Sequence, residues 1–281
     1  LLVVENGVYG ERMAAMATRA GIAMERVCAG WADDIDLRAL AARLDATPPI
    51  THLAVVHHET TTGRLNPLRE IAALCAARGV GLLLDAVSSF GAEDIDFANW
   101  PIAACAATAN KCLHGVPGVS FVIVDRRRFD ADGGHARSLY LDLARYLVEQ
   151  DRGGTPYTQS VQVFYALREA LAEFAEAGGR PARQGLYRAR MARLRCALRT
   201  AGVMPLLDDT ACSCVLQAFL LPAGCSYQSL HDGLKDEGFV IYAGQGRFAS
   251  QIFRISLMGA LPVADLERLE SSLVRLLRAR D

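Results

Sequence analysis

Lys111 stands between an apolar run and a loop rich in glycine and proline, in Thr108-Ala109-Asn110-Lys111-Cys112-Leu113-His114-Gly115-Val116-Pro117-Gly118. Upstream, Asp85 closes a fully apolar run, Val80-Gly81-Leu82-Leu83-Leu84, that reads as a buried strand. An acid at the tip of a buried strand and an amine opening a later loop are two groups that pyridoxal phosphate requires. The amine holds the aldehyde as a Schiff base, and the acid keeps the pyridine nitrogen protonated so that the ring accepts electrons. Most loop lysines are simply solvated; the apolar flanks and the Asp85 partner set Lys111 apart. Asp85 has a plainer reading too, as the acceptor for Ser88 or Ser89 in the turn-forming stretch 85–91.

Three further positions carry candidate chemistry. The run His57-His58-Glu59-Thr60-Thr61-Thr62-Gly63 follows the preceding strand, and a hydroxyl there is placed to bond the phenolic oxygen of such a cofactor. Its adjacent histidines point to opposite faces of an extended chain, so they are a poor metal pair. Tyr9, between Gly7 and Gly10, offers an aromatic face to the pyridine ring, or is an ordinary core tyrosine. Arg254 lies inside the apolar run Ile252-Phe253-Arg254-Ile255-Ser256, where a charge is costly unless paired. Its fork fits a carboxylate or phosphonate of the substrate; the competing reading is a structural salt bridge.

These residues need a frame. Apolar strands are expected over 1–4, 53–56, 80–84, 102–107 and 120–124, with helices over 12–20, 36–44 and from Pro67 to about Arg78. Alternating strands and helices, with near-continuous apolar strands, imply an α/β fold with a mostly parallel sheet sandwiched by helices. Ligands sit beyond the carboxyl ends of such strands, where Tyr9, Thr60, Asp85 and Lys111 all fall. A long helix over 159–177 is broken by Gly178-Gly179-Arg180-Pro181. The expected division is therefore a large cofactor-binding domain, 1–178, and a smaller α+β C-terminal domain, 179–281. The latter holds an arginine-rich helix over 182–201, strands over 214–220, 239–242 and 253–256, and helices over 227–237 and 263–278. Arginines 183–199 read as the outer face of their helix, and Arg126-Arg127-Arg128, between Asp125 and Asp130, as a solvated turn.

The bulk numbers agree with a globular enzyme. The 281 residues are 52% hydrophobic and 22% charged, with a net charge of −1, which excludes a disordered chain and offers no field for nucleic acid or an anionic membrane. No apolar stretch is long enough to span a bilayer, and no signal peptide is visible. The eight cysteines form no CxxC pair, which favours a reduced, cytoplasmic setting over disulfides or zinc. The chain opens inside a strand, so it is expected to lack its true N-terminus.

Taken together, Asn6-Gly7-Val8-Tyr9-Gly10-Glu11-Arg12, His58–Gly63, Asp85-Ala86-Val87-Ser88-Ser89-Phe90-Gly91, Ala109–Cys112 with Gly115–Gly118, and Phe253-Arg254-Ile255 resemble the class V, fold-type I pyridoxal-phosphate aminotransferases. Within them these runs closely resemble the 2-aminoethylphosphonate–pyruvate transaminases. The resemblance runs almost end to end. It implies Lys111 as the cofactor's covalent anchor, Asp85 at the ring nitrogen, Thr60 at the ring hydroxyl, Tyr9 on the ring face and Arg254 on the donor's acid group. It also implies Asn110 near the phosphate, and Thr155 reaching the phosphate of a neighbouring subunit in a homodimer. The implied reaction passes the amino group of 2-aminoethylphosphonate to pyruvate, giving phosphonoacetaldehyde and alanine. One departure stands out. The family's Gly-Ser-Gly-Thr phosphate loop, upstream of the first strand, has no counterpart here; Gly244-Gln245-Gly246 lies too far along the chain. Rival readings are an alanine- or serine–glyoxylate type of class V aminotransferase, and a catalytically silent fragment lacking that loop.

Overall fold

The structure is a computed structural model that describes residues 1–127, 129 and 136–278. The first half alternates strands and helices: β1 (Leu2–Glu5), α1 (Val8–Arg19), β2 (Glu25–Cys28), α2 (Leu37–Asp45), β3 (His52–Val56), a short ladder of β4 (His58–Glu59) and β5 (Arg64–Leu65), α3 (Leu68–Ala76), β6 (Gly81–Asp85), β7 (Ile102–Thr108) and β8 (Ser120–Val124). Six strands form one sheet in the order β2-β1-β3-β6-β7-β8. All neighbours are parallel except β7 and β8. Residues 109–119, which join that pair, leave no room for the crossover helix that a parallel connection needs.

Both faces of this sheet are covered, which is why its strands read as unbroken apolar runs. Leu2, Val4, Leu53, Val55, Leu82 and Leu84 pack toward α2 and α3, against Leu40, Leu44, Ile71 and Cys75. Val3 and Ala54 face the other way, onto Ala14 of α1. Gly10 lets α1 lie this close: a Cβ there would sit 2.7 Å from the Val4 carbonyl oxygen. β2 was invisible in the sequence because Glu25-Arg26-Val27-Cys28 is an exposed, charged edge strand with no apolar run.

The second half comprises α4 (Leu143–Asp151), α5 (Val161–Glu176), α6 (Gly179–Thr200), β9 (Leu216–Leu220), α7 (Tyr227–Asp236), β10 (Tyr242–Ala243), β11 (Ile252–Ser256) and α8 (Val263–Arg278). β10, β11 and β9 form an antiparallel sheet with its own core of Phe219, Phe253 and Ile255 against Leu194, Leu234 and Leu273. α4 was not anticipated; Asp142 caps it, accepting from the amides of Ala144 and Arg145. The break after α5 is narrower than its sequence suggests. Gly178 and Gly179 take positive φ of 90° and 65°, while Arg180 and Pro181 already belong to the first turn of α6, where proline is tolerated.

The arginines of α6 correct the sequence reading. Arg183, Arg190 and Arg195 are buried, on the same stripe as Tyr187, Met191, Leu194 and Leu198. Arg183 donates to the Cys112 carbonyl, and Arg190 donates to the carbonyls of Leu257, Gly259 and Leu261. Those carbonyls lie in loops with no ladder to satisfy them, so guanidinium donors take that place. Arg126 and Arg127 are exposed and paired with Asp151 and Asp125; Arg128 and Asp130 lie outside the described residues. All eight cysteines are free, with Cys75, Cys105, Cys112 and Cys214 buried. Among the described residues, no helix is long and apolar enough to cross a membrane.

Candidate active site

β1, β3, β6 and β7 run parallel, so their carboxyl ends share one edge; register pairs Val56 with Asp85, and Asp85 with Ala106. β1 lies between β2 and β3, and the chain crosses from one side of it to the other. At such a switch point the following loops diverge and leave a crevice. A cavity of about 220 Å³ opens there, lined by Tyr9, Arg12, His58, Asp85 and Ser88 among others.

Asp85 terminates β6 against this cavity. The Val87 amide donates to its Oδ1 at 3.0 Å, and nothing among the described residues donates to Oδ2. Burial pushes its carboxyl above the ordinary carboxylate range, while the Val87 amide and the charge of Arg12 pull it back. The two serines considered as its partners serve the histidines instead. Ser89 Oγ bonds His57 Nδ1 at 3.0 Å, and the Ser88 carbonyl accepts from His58 Nδ1 at 3.1 Å. Both rings are buried and turned to separate partners. Among the described residues no cluster of His, Cys, Asp or Glu is arranged to hold a metal ion.

Lys111 is half-buried at the turn after β7. Its carbonyl accepts from the His114 amide, Gly115 N–H closes back onto the Ala109 carbonyl, and His114 adopts a positive φ of 63°. Its ammonium forms no hydrogen bond or ion pair among the described residues. Lys111 does not itself line the 220 Å³ cavity, but its charge reaches His58, which does. Asn110 beside it is exposed and accepts from Thr108 Oγ1 at 2.8 Å.

Tyr9 sits in the first turn of α1, with the Arg12 guanidinium 4.9 Å from its ring centroid. The cap of this helix is Gly7, which has no side chain to offer, so a neighbouring loop supplies the acceptors. Glu59 Oε2 accepts from the amides of Tyr9 and Gly10, and Thr61 Oγ1 accepts from Val8 N–H. Burial raises the Glu59 carboxyl, and its hydrogen bonds from Thr61, Gly10 and Tyr9 lower it again.

Arg254 arrives from β11 and is only 7% exposed. Its Nε donates to the Ala243 carbonyl at 2.8 Å, and Nη1 to the Thr60 carbonyl at 2.6 Å. No carboxylate lies within ion-pair distance of it among the described residues. The groups its charge faces are Tyr9, Tyr227, Tyr242 and Glu59. Tyr9, Thr60 and Arg254 are thus brought together, while Asp85 and Lys111 flank them on adjacent strand ends. Thr155 lies apart. It donates to the Tyr157 carbonyl at 2.8 Å and borders an exposed apolar hollow with Val161, Phe164 and Tyr165.

The C-terminal sheet is held over the rim by polar ties that no local pattern announced. Glu93 accepts from Ser213 Oγ, Cys214 N–H and Gln184 Nε2. His114 Nε2 accepts from Gly259 N–H and contacts the Tyr187 hydroxyl. Arg12 and Glu59 stood within the quoted sequence motifs, but the bonds of Glu59 to Tyr9 and Gly10 span 50 and 49 residues, and Arg12 acts on Asp85 from another segment, so neither task left a local signal.

Comparison with known proteins places the chain in a family. Residues 4–269 match the family model described as aminotransferase class-V. The chain is 40% identical over 273 residues to a 2-aminoethylphosphonate–pyruvate transaminase of Klebsiella pneumoniae, covering 96% of this chain and 74% of that relative. A Vibrio vulnificus relative of the same description is 39% identical over the same shares. Among solved structures, a subgroup IV aspartate aminotransferase from Thermus thermophilus superposes with a TM-score of 0.87 at 27% identity, over 98% of this chain and 77% of the other. The ureidoglycine–glyoxylate aminotransferase of Bacillus subtilis gives 0.88 at 26% identity, over 98% and 72%. The fold is therefore that of the fold-type I aminotransferases, and this chain belongs to the class-V aminotransferase family.

Proposed function

We propose that this aminotransferase moves the amino group of 2-aminoethylphosphonate to pyruvate with pyridoxal 5'-phosphate as cofactor. The observation that carries the reading is Arg254: a guanidinium buried in an apolar strand, tied to two backbone carbonyls, with no carboxylate in ion-pair contact among the described residues. A buried cation with no carboxylate in contact is set for an anionic ligand. The substrate names come from the relatives at about 40% identity.

The residues present fit the cofactor. Asp85 keeps one oxygen free at the cavity and would hold the ring nitrogen; Lys111 would anchor the aldehyde carbon; Thr60 would meet the ring hydroxyl and Asn110 the phosphate end. Tyr9 has Arg12 over its ring and would turn its free face to the pyridine. When bound, the cofactor supplies an aldehyde that captures amines and a ring that withdraws electrons. The rest belongs to the chain. Asp85, half-buried at the cavity, would hold a proton on the ring nitrogen. Arg254 fixes the donor by its acid group and so aims its amine-bearing carbon toward Lys111. Lys111 Nζ would take the proton from that carbon and deliver it to the cofactor carbon that the same lysine otherwise anchors, so that the amino group changes hands. The exposed hollow at Thr155, Val161, Phe164 and Tyr165 is read as part of a homodimer contact, through which Thr155 would reach a neighbour's phosphate. We further read 1–178 and 179–281 as two domains, and the eight free cysteines as fitting the cytoplasm.

The test uses the whole chain incubated with pyridoxal phosphate. The sequence holds two lysines, Lys111 and Lys235, so borohydride reduction and peptide mass spectrometry separate the site from surface labelling. The label is expected on Lys111, and initial rates are expected to favour 2-aminoethylphosphonate over alanine as donor. Labelling confined to Lys235 would overturn the cofactor assignment; a preference for alanine would overturn the substrate.

A further inference from the structure

Glu59 is fully buried at the junction of three functional segments, and among the described residues no arginine or lysine pairs with it directly. A buried carboxylate is costly unless donors surround it. Here there are four. Oε2 accepts from Tyr9 N–H at 3.1 Å and Gly10 N–H at 3.3 Å, in the first turn of α1. Oε1 accepts from Thr61 N–H at 3.1 Å and Thr61 Oγ1 at 2.6 Å. The Thr61 hydroxyl in turn accepts from Val8 N–H at 3.0 Å, which closes a ring between the turn after β1 and the loop after β3. Space for the carboxylate is reserved by Gly7, where a Cβ would lie 2.3 Å from Glu59 Cγ and Cδ. The peptide next to Glu59 carries the Thr60 carbonyl that accepts from Arg254 Nη1. The charge of Glu59 acts on Arg254 without contacting it.

We propose that Glu59 is a positioning residue for the reaction. As an anion it ties the turn presenting Tyr9 to the loop presenting Thr60, and it balances Arg254 from behind, leaving the outer edge of the guanidinium for the acid group of the donor. The proposal rests on the function read above and deepens it: binding of the donor's acid depends on a carboxylate that never touches it. A helix cap alone would not need this arrangement. Glu59 comes from a different strand end and addresses Thr61 as strongly as it does α1.

The isosteric variant Glu59→Gln keeps the volume and removes the charge. Whichever way its amide turns, its NH₂ faces N–H donors, either those of Tyr9 and Gly10 or that of Thr61. Two measurements decide. Amide hydrogen exchange of the cofactor-free whole chain is expected to quicken about tenfold or more over residues 8–10, the equivalent of one lost charge-assisted bond. In the cofactor-loaded enzyme the KM for 2-aminoethylphosphonate is expected to rise about tenfold or more, with a smaller change in kcat. Wild-type exchange with wild-type KM would overturn the proposal, as would a fall in kcat at unchanged KM. Should Glu59→Gln not fold, Thr61→Val and Thr61→Ser replace it. The valine variant is expected to quicken exchange over residues 8–10 and the serine variant to restore it; equal behaviour of the two would overturn the tie. If the wild-type enzyme fails to use 2-aminoethylphosphonate, the substrate reading falls, while the exchange arm still decides the role of Glu59.

Discussion

Replacing Arg254 by lysine keeps the charge and removes the fork. Nε and Nη1 are committed to the Ala243 and Thr60 carbonyls, and Nη2 has no hydrogen-bond partner among the described residues. A lysine has one nitrogen on a shorter head, so it serves one carbonyl or the ligand, not both carbonyls and a bidentate acid. A hydrogen bond to a charged group contributes about 1.5–3 kcal/mol. Since about 1.4 kcal/mol is a factor of ten, losing one such bond to the donor's phosphonate should raise its KM roughly 10- to 150-fold. One stranded carbonyl should cost about 1–3 kcal/mol of stability, seen as a drop of several degrees in the thermal midpoint. Arg254→Gln removes the charge as well and should weaken donor binding further. The assay is initial alanine formation across donor concentrations for the wild type and both variants, with thermal midpoints measured in parallel. The reasoning is refuted if Arg254→Lys lowers the midpoint but leaves donor KM unchanged, since Arg254 would then be a structural cation only.

Two more outcomes follow from buried titratable groups. Burial raises the Asp85 carboxyl above its ordinary value of 3.8, so its ionised form is disfavoured in the folded chain and the penalty is felt as pH rises above that value. Asp85→Asn should therefore raise the thermal midpoint of the cofactor-free chain at neutral pH, with the gain fading below about pH 3.8, while abolishing turnover of the loaded enzyme; calorimetry across pH and a rate assay check this. His114 is pushed down from 6.5 to about 4 by burial and by the charges of Arg183 and Arg190, so the neutral ring is the folded form. Stability it contributes is present above pH 6.5 and is lost as the pH falls toward 4, because the unfolded chain takes up the proton first. His114→Asn should flatten the decline of the midpoint over that interval; an unchanged slope would assign the acid sensitivity elsewhere.

The sequence determined by itself the parallel sheet, the strand ends that carry Asp85 and Lys111, and the class of chemistry. Those strands are apolar on both faces, and the polar residues at their tips can only sit on the rim, so the pattern is local and strong. The helices α2 and α8 were likewise legible, since the pattern of each is written within one helix. Only the tertiary structure decided which charges are buried and what they face. Arg183, Arg190 and Arg195 look like a solvated face in sequence, yet point inward because distant acceptors need donors: loop carbonyls for Arg183 and Arg190, the Gln217 side-chain oxygen and Asp209 for Arg195. Arg254 touches no carboxylate among the described residues and is balanced only at a distance by Glu59, which no reading of β11 supplies. Glu59 is an unremarkable letter in a polar run until α1, capped by a glycine, is laid against it. Burial and counter-charge are set by segments far apart along the chain, and a linear pattern records spacing, not what folds on top.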